Sequence, residues 1–153
     1  MGIGTTLLLH CDLAYAGESA RFQMPFVNLG LCPEFASSLL LPQLVGQRRA
    51  AEMLMFGQPF DADTAKEAGI VNEIFADDAV ISESLKRAHA LAAQPPAALR
   101  CTKQLMKQAF QNDIAQQMQI ELKDFGHLLT AGEAKEALQA FMEKRKPDFS
   151  TFT

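Results

Sequence analysis

Apolar residues recur at intervals of three and four positions through the second half of the chain, a spacing that predicts amphipathic helices. Four segments follow this pattern: residues 79–93, 97–110, 114–129 and 132–144. The pair Pro95-Pro96 separates the first two segments and suits a helix start. One face of the third segment carries Leu122, Phe125, Leu128 and Leu129. This face should pack on the rest of the chain or on another subunit.

The first 76 residues show a mixed pattern instead. Mostly apolar residues at 11–16 and 20–24 predict two short strands, separated by a turn at residues 17–19. Residues 70–75 predict a further extended segment. The pattern therefore divides the chain near residue 77 into a mixed α/β portion, residues 1–76, and an all-α portion, residues 77–153.

Helices in the α/β portion are marked by residues typical of helix ends. Pro33 suits the first position of a helix that continues through Leu41, which would place Glu34 in its first turn. Residues 48–56 and 61–68 predict two further helices, terminated by Gly57 and Gly69.

The first residues hold a glycine turn, Gly2-Ile3-Gly4, directly before the apolar run at residues 7–9. Glycine permits close approaches and unusual backbone angles, and a helix that begins here directs free N–H groups at whatever lies before it. An anion or a developing oxyanion is the ligand that such a start would bind. A buried helix start whose glycines serve packing fits the same residues, and is the simpler interpretation of the spacing alone.

Composition narrows the possible partners. The 153 residues are 48% hydrophobic and 21% charged, which is typical of a globular domain with a substantial core. The net charge of −4 provides no general attraction to nucleic acid or to anionic membranes, so neither is expected as a partner. The apolar run at residues 7–9 is far too short to span a membrane.

The thiols and imidazoles suggest neither disulfides nor metal. Three cysteines at wide spacing, without a CxxC pair, are typical of reduced thiols in a cytosol-like compartment. The three histidines share no metal-ligand spacing, so no metal site is expected.

Several segments together resemble the crotonase (enoyl-CoA hydratase/isomerase) superfamily, in the family's order. They are the glycine turn with the residues up to 16, Ala-Arg-Phe-Gln-Met-Pro at 20–25, Asn-Leu-Gly-Leu-Cys-Pro at 28–33, Ala-Lys-Glu-Ala-Gly-Ile-Val-Asn at 65–72, and Ala-Phe-Met-Glu-Lys-Arg-Lys at 140–146. The resemblance implies an α/β spiral of repeated ββα units followed by a helical trimerisation region, in trimers or dimers of trimers. We expect residues 1–76 to be the second, C-terminal half of that spiral and residues 77–153 the oligomerisation region. The upstream half, which would supply the first oxyanion amide and much of the coenzyme A pocket, is expected to lie outside this chain.

The resemblance also assigns roles to individual residues. The second oxyanion amide carries over onto Ile3, flanked by Gly2 and Gly4. The two glutamates of the hydratase branch fall on Thr6 and Phe26, and neither residue can act as a base. This departure argues against hydration, which needs a pair of carboxylates to activate water.

A different branch, resembling the peroxisomal-type 3,2-enoyl-CoA isomerases, places one glutamate directly after the loop proline, where this chain has Glu34. One base suffices to move a proton from C2 to C4 of a 3-enoyl thioester. A glutamate that only complements a helix dipole would explain Glu34 without any catalysis.

Substrate contacts are expected on both sides of the predicted base. Those near Glu34 are Phe26, Leu31 and Phe35, and those on the C-terminal helix, for coenzyme A, are Phe141 and Lys144. The cluster at residues 144–146 fits equally well a set of cations that stabilises a helix C-terminus.

The resulting hypothesis is an isomerase-like protein of fatty acid degradation. It would bind an acyl-CoA thioester, need no cofactor beyond the coenzyme A of its substrate, and self-associate as a trimer or hexamer. Its expected location is the cytoplasm of a bacterium, or the peroxisome of a eukaryote. Two alternatives remain: another crotonase-type acyl-CoA reaction, including hydration, or a non-catalytic assembly module that keeps the helical region without a complete active site.

Overall fold

A computed structural model describes residues 1–152. Within that range the α-helices are α1 Ile3–Thr6, α2 Ser37–Val45, α3 Gln47–Phe56, α4 Ala62–Glu67, α5 Val80–Ala92, α6 Pro96–Gln108, α7 Gln111–Leu129 and α8 Gly132–Met142. The strands are β1 Tyr15–Gly17, β2 Arg21–Phe22, β3 Phe60–Asp61 and β4 Glu73–Phe75. Two 3₁₀ turns, Leu7–His10 and Val27–Leu29, complete the regular structure. All of these strands precede residue 76, and α5 to α8 follow it.

Each strand pairs with a strand that is distant in the sequence, and neither β1 with β2 nor β3 with β4 forms a pair. β1 runs parallel to β4, with Tyr15 opposite Glu73, and β2 runs antiparallel to β3, with Arg21 opposite Asp61. The predicted strands at 11–16 and 20–24 were therefore too long, and β3 was missed. Long-range pairing sets the strand limits here, since only the residues that meet a partner form a ladder.

The hydrophobic core lies between the short sheets and the helices α2, α3 and α4. Met24, Leu41 and Ala65 are at most 1% exposed and belong to this cluster. Phe125 of α7 packs against it from the helical portion. The chain's α/β and all-α portions thus share packing contacts, which include α2 with α7, α8 with the Val27–Leu29 turn, and α5 with β1 and β4.

The helix predicted to begin at Pro33 begins four residues later, at Ser37. Phe35 and Ala36 have φ values of 60° and 54°, in the left-handed region, so the chain cannot be helical through Glu34. Phenylalanine and alanine carry no local preference for this conformation, and only tertiary contacts can impose it.

The other predicted helices lie where the pattern indicated, within a few residues. Helix α4 has Asp61 as its N-cap, whose side chain accepts a hydrogen bond from Thr64 N–H at 2.9 Å. Gly57 and Gly69 follow α3 and α4 with φ values of 58° and 73°, the left-handed geometry typical of a helix stop. None of the helices in residues 1–152 is long and apolar enough to cross a membrane.

A comparison of two glycines tests the docking of α8. Gly30 has φ +66°, and an added Cβ would lie 2.7 Å from Ala134 N. Gly30→Ala should therefore lower the free energy of unfolding by about 1–3 kcal/mol. Gly126 lies inside α7 with nothing within 4 Å of an added Cβ. Gly126→Ala should raise stability by about 1 kcal/mol. Urea unfolding measures both, and shifts in the same direction would contradict this description.

Candidate functional site

A hydrogen bond joins the glycine-turn helix to the predicted base. Thr6, the last residue of α1, is fully buried, and its Oγ1 donates to Glu34 Oε1 at 2.6 Å. A hydroxyl that donates to a carboxylate fixes the orientation of the carboxylate. Glu34 itself is partly buried, so the carboxylate is held at a defined place while one side stays accessible.

The backbone after Glu34 is strained. Phe35 and Ala36 are consecutive non-glycine residues with positive φ, each costing about 1–3 kcal/mol unless the surroundings impose the conformation. Because Glu34 precedes this pair, it does not lie in the first turn of α2. Complementing the α2 dipole is therefore not what places Glu34 here.

Two groups hold the strained pair from outside. His10 Nε2 donates to Phe35 O at 2.7 Å, and the two rings pack with their centroids 4.2 Å apart. From α7, the Glu121 carboxylate accepts from Ala36 N at 2.5 Å and from Ser38 N at 3.0 Å. Glu121 is only 5% exposed, so these donors replace the hydrogen bonds that water would otherwise give it.

Sequence reasoning missed Glu121, although a signal was present. The inward side of α7 is marked at intervals of four and three residues by the half-buried Ile114, Met118, Phe125 and Leu128, with the buried Glu121 among them. A carboxylate in such a stripe is buried and must have donors.

An apolar cavity of about 260 Å³ opens beside the base. Its walls are Glu34, Phe35, Met118, Gln119, Leu122 and Phe125. Within this lining Glu34 is the one ionisable group, so the cavity offers a carboxylate to an otherwise apolar ligand. Helix α7 supplies four of the wall residues, and none of them was predicted from the sequence to contact substrate.

The structure brings only some of the predicted substrate contacts to this cavity. Phe35 lines it, whereas Leu31 lines a separate cavity of about 360 Å³ beside Phe149. Phe26 is 5% exposed and belongs to the hydrophobic core, away from the cavity wall. Phe141 is 76% exposed, and Lys144 is also exposed. Their contact with coenzyme A stays a prediction.

The glycine turn presents one free amide. Gly2 N donates to Gln23 O at 2.8 Å, and Gly4 N donates to Met1 O at 3.3 Å. Ile3 N–H has no acceptor among residues 1–152. Gly2 has a φ of +58°, which favours glycine at this position. A Cβ added at Gly2 or Gly4 would meet no other atom within 4 Å. Side-chain packing among the described residues therefore does not explain these glycines.

Comparison with known proteins decides the family. The family profile described as "Enoyl-CoA hydratase/isomerase" matches residues 1–151. The chain belongs to this family. It is 35% identical to the 2,3-dehydroadipyl-CoA hydratase of Escherichia coli, over 97% of this chain and 58% of that protein. It is 32% identical to the mitochondrial enoyl-CoA hydratase of Pongo abelii, over 97% of this chain and 51% of that protein.

Solved structures show the same crotonase-like fold. An enoyl-CoA hydratase/isomerase from Pseudoalteromonas atlantica superposes with a TM-score of 0.93 at 44% identity, covering 97% of this chain and 60% of that one. Pseudomonas aeruginosa OdaA gives a TM-score of 0.89 at 45% identity, covering 92% and 57%. The chain spans between half and two thirds of the length of these relatives. Several of them carry hydratase names, so the finer assignment to an isomerase branch stays a prediction.

In this family member the C-terminal segment is clamped to α8. Arg145 binds both oxygens of Glu136, at 2.5 and 2.9 Å, and Asp148 N donates to the same carboxylate at 2.8 Å. The clamp follows Lys144, whose φ is 56°. Within the predicted cationic cluster, Arg145 thus has a structural role, while Lys144 remains exposed.

Asp12, which follows the Leu7–His10 turn, is also paired with charged groups. Asp12 binds Lys103 at 2.5 Å and Lys107 at 2.9 Å, which ties α6 to the chain before β1. Lys103 and then Lys107 hold the pKa of Asp12 below its ordinary value. Among residues 1–152, no cluster of three or more His, Cys, Asp or Glu side chains could hold a metal ion.

The Arg145 clamp predicts acid sensitivity. Arg145, followed by Asp148 N–H, lowers the pKa of Glu136 to about 2 from 4.5. A depressed folded-state pKa stabilises the fold above pH 4.5, and this contribution is lost as the pH falls towards 2. The stability difference between the parent and Glu136→Gln should therefore shrink over that range in unfolding curves. Glu67→Gln, at a carboxylate 73% exposed, is the control. A pH-independent difference for Glu136→Gln would contradict the assignment.

Proposed function

We propose that this chain carries the base and one oxyanion donor of an active site that shifts the double bond of a 3-enoyl-CoA thioester to the 2-position. The observation that carries the proposal is the single carboxylate of Glu34, held by Thr6 Oγ1 at 2.6 Å, in the wall of an apolar cavity. A fatty acyl chain is the ligand chemistry that such walls suit.

The chemistry needs one base and a site for negative charge. Glu34 takes a proton from C2 of the thioester, the electrons move onto the carbonyl oxygen, and the resulting enolate collapses as the proton is returned at C4. Atoms balance without a further reactant, and coenzyme A is part of the substrate. Ile3 N–H is the proposed donor to the enolate oxygen, and one such donor is worth about 3 kcal/mol in comparable sites.

Thr6 supports this single-base chemistry. It stands where the resemblance places one of the hydratase glutamates, and it contacts Glu34 as a donor instead of a second carboxylate. The other glutamate position is Phe26, which is buried in the core. Among the described residues, Glu34 has no neighbouring carboxylate in its cavity with which to activate water.

Hydration is the second candidate, because two of the relatives named above, at 35% and 32% identity, carry hydratase names. It would require water activation by Glu34 alone or by a carboxylate outside this chain. The chain spans 58% of the first relative. From the sequence resemblance alone, we propose that it is the C-terminal half of the fold. The first oxyanion amide and most of the coenzyme A pocket would then come from residues outside it.

Substitution of the base tests the reaction. In the intact protein, Glu34→Gln should lower kcat for isomerisation of a 3-enoyl-CoA by about 10²–10⁴-fold, because the amide cannot accept the proton. The formation of the conjugated 2-enoyl thioester is followed by absorbance. Glu18→Gln, at an exposed turn position, is the matched control. If Glu34→Gln isomerises the substrate at the parent rate, Glu34 is not the base. If the parent protein hydrates a 2-enoyl-CoA faster than it isomerises a 3-enoyl-CoA, the second candidate is favoured.

Self-association is the second part of the proposal. On α8, Leu138, Phe141 and Met142 are 62–76% exposed at positions i, i+3 and i+4, which is the spacing of a packing face. We propose that other copies of the chain cover such faces in a trimer or hexamer, as the resemblance implies.

Charge on this face should break the assembly. Leu138→Glu should reduce the mass measured by sedimentation, because a carboxylate cannot be buried there without a partner. Gln139→Glu, on the same helix, exposed and about 100° around it from Leu138, should leave the mass unchanged. A parent protein that sediments as a monomer would overturn this part of the proposal and leave the assignment of Glu34 untouched.

A further inference from the structure

The buried carboxylate of Glu121 lies outside the cavity that holds the base, but it binds the loop that follows the base. Its Oε2 accepts from Ala36 N at 2.5 Å, and its Oε1 accepts from Ser38 N at 3.0 Å and from Ser38 Oγ at 2.5 Å. Gln117 Nε2 donates to Ser38 Oγ at 2.9 Å and holds that hydroxyl in place. Among residues 1–152, no lysine, arginine or histidine pairs with Glu121.

These donors are also the start of α2. A carboxylate at the start of a helix is stabilised by free N–H groups and by the helix dipole. Glu121 therefore supplies the N-terminal cap that α2 lacks in its own sequence, since Ala36 occupies the N-cap position without a side-chain cap.

The cap acts on the strained pair. Ala36 keeps its φ of 54° while its N–H points at Glu121. On the other side of the turn, Glu34 O accepts from Ser37 N at 3.1 Å and from Ser37 Oγ at 2.6 Å. The hydrogen bonds between Ser37 and Glu34 O thus close a turn over residues 34–37. Glu34 begins this turn, and the amide of Ala36 within it is bound by Glu121. A turn that relaxed at Ala36 would rotate the backbone of Glu34 and move its carboxylate from Thr6.

We propose that Glu121 is a positioning residue that holds the left-handed turn at residues 35–36 and thereby keeps the Glu34 carboxylate against Thr6. The inference rests on the proposed function in one respect, the role of Glu34 as base. Glu121 does not touch the cavity and acts through the backbone. Helix α7 then has two tasks, since it also supplies the cavity wall at Met118, Leu122 and Phe125.

The first experiment replaces one oxygen of the cap. Glu121→Gln keeps the shape, but its NH₂ must face either Ala36 N–H or Ser38 N–H, so one of the two amides loses its acceptor. In the intact protein kcat for 3-enoyl-CoA isomerisation should fall about 10–100-fold with KM within twofold, because displacement of a base by about 1 Å affects the chemical step. Asp124→Asn removes the same charge three residues along α7, at an exposed position, and should change kcat less than twofold.

A second substitution separates positioning from general stability. Glycine adopts positive φ without strain, so Ala36→Gly should restore kcat of Glu121→Gln at least fivefold. If Glu121 only stabilised packing between α2 and α7, glycine would relieve the strain at Ala36 equally in the parent and in the variant, and kcat of the folded protein would not be restored. Where Glu121→Gln alone does not fold, recovery of folded, active protein by Ala36→Gly supports the inference, and failure to recover overturns it.

A crystal structure of Glu121→Gln supplies a readout that does not depend on the reaction. The distance from Thr6 Oγ1 to the nearest Glu34 oxygen, 2.6 Å in the parent, should exceed hydrogen-bonding range in the variant and return in the double variant. An unchanged distance with unchanged kcat overturns the positioning role. If the distance changes while Glu34→Gln is fully active, Glu121 still positions Glu34 and the proposed function is what fails.

Discussion

The left-handed backbone of Phe35 and Ala36 is the constraint on which the arrangement of the site depends. It ends the loop after Pro33, delays the start of α2 to Ser37, and turns Glu34 towards α1. Two consecutive non-glycine residues do not adopt this conformation unaided. The energy that holds them comes from elsewhere in the fold, through His10 on one carbonyl and Glu121 on one amide.

This dependence joins distant parts of the chain. His10 belongs to the 3₁₀ turn that follows the glycine-turn helix, whereas Glu121 lies in the long helix of the all-α portion. Thr6, the last residue of α1, donates a hydrogen bond to Glu34, which directly precedes the strained pair. The α/β portion alone would keep Glu34 and Thr6, but it would lose the hydrogen bonds from the turn to Glu121 and most of the cavity wall. The division near residue 77 therefore separates two kinds of secondary structure, but the candidate site takes residues from both sides of it.

Local physics explains which elements could be predicted from the sequence. Helices α5 to α8 follow from apolar periodicity, and the stops at Gly57 and Gly69 follow from glycine geometry, because both signals are local. The strand limits and the pairing of β1 with β4 depend on residues almost 60 positions apart, so pattern alone could not supply them. Nothing in Phe35 or Ala36 announces positive φ. Glu34 was predicted only through the family resemblance, whereas Glu121 could have been found as a charge within an apolar stripe.

Hydration and isomerisation, the two reactions in the family name, need different arrangements of charge. Two carboxylates that face one site repel each other and titrate as a pair, which suits the binding and activation of water. Glu34 instead lies beside the hydroxyl of Thr6, which donates a hydrogen bond to it. Restoring the pair would take more than one substitution, since a glutamate at Phe26 would sit 5% exposed among apolar residues without a partner. The apolar core around Phe26 therefore has no place for an ionised side chain, and among the described residues Glu34 is the single carboxylate that lines its cavity.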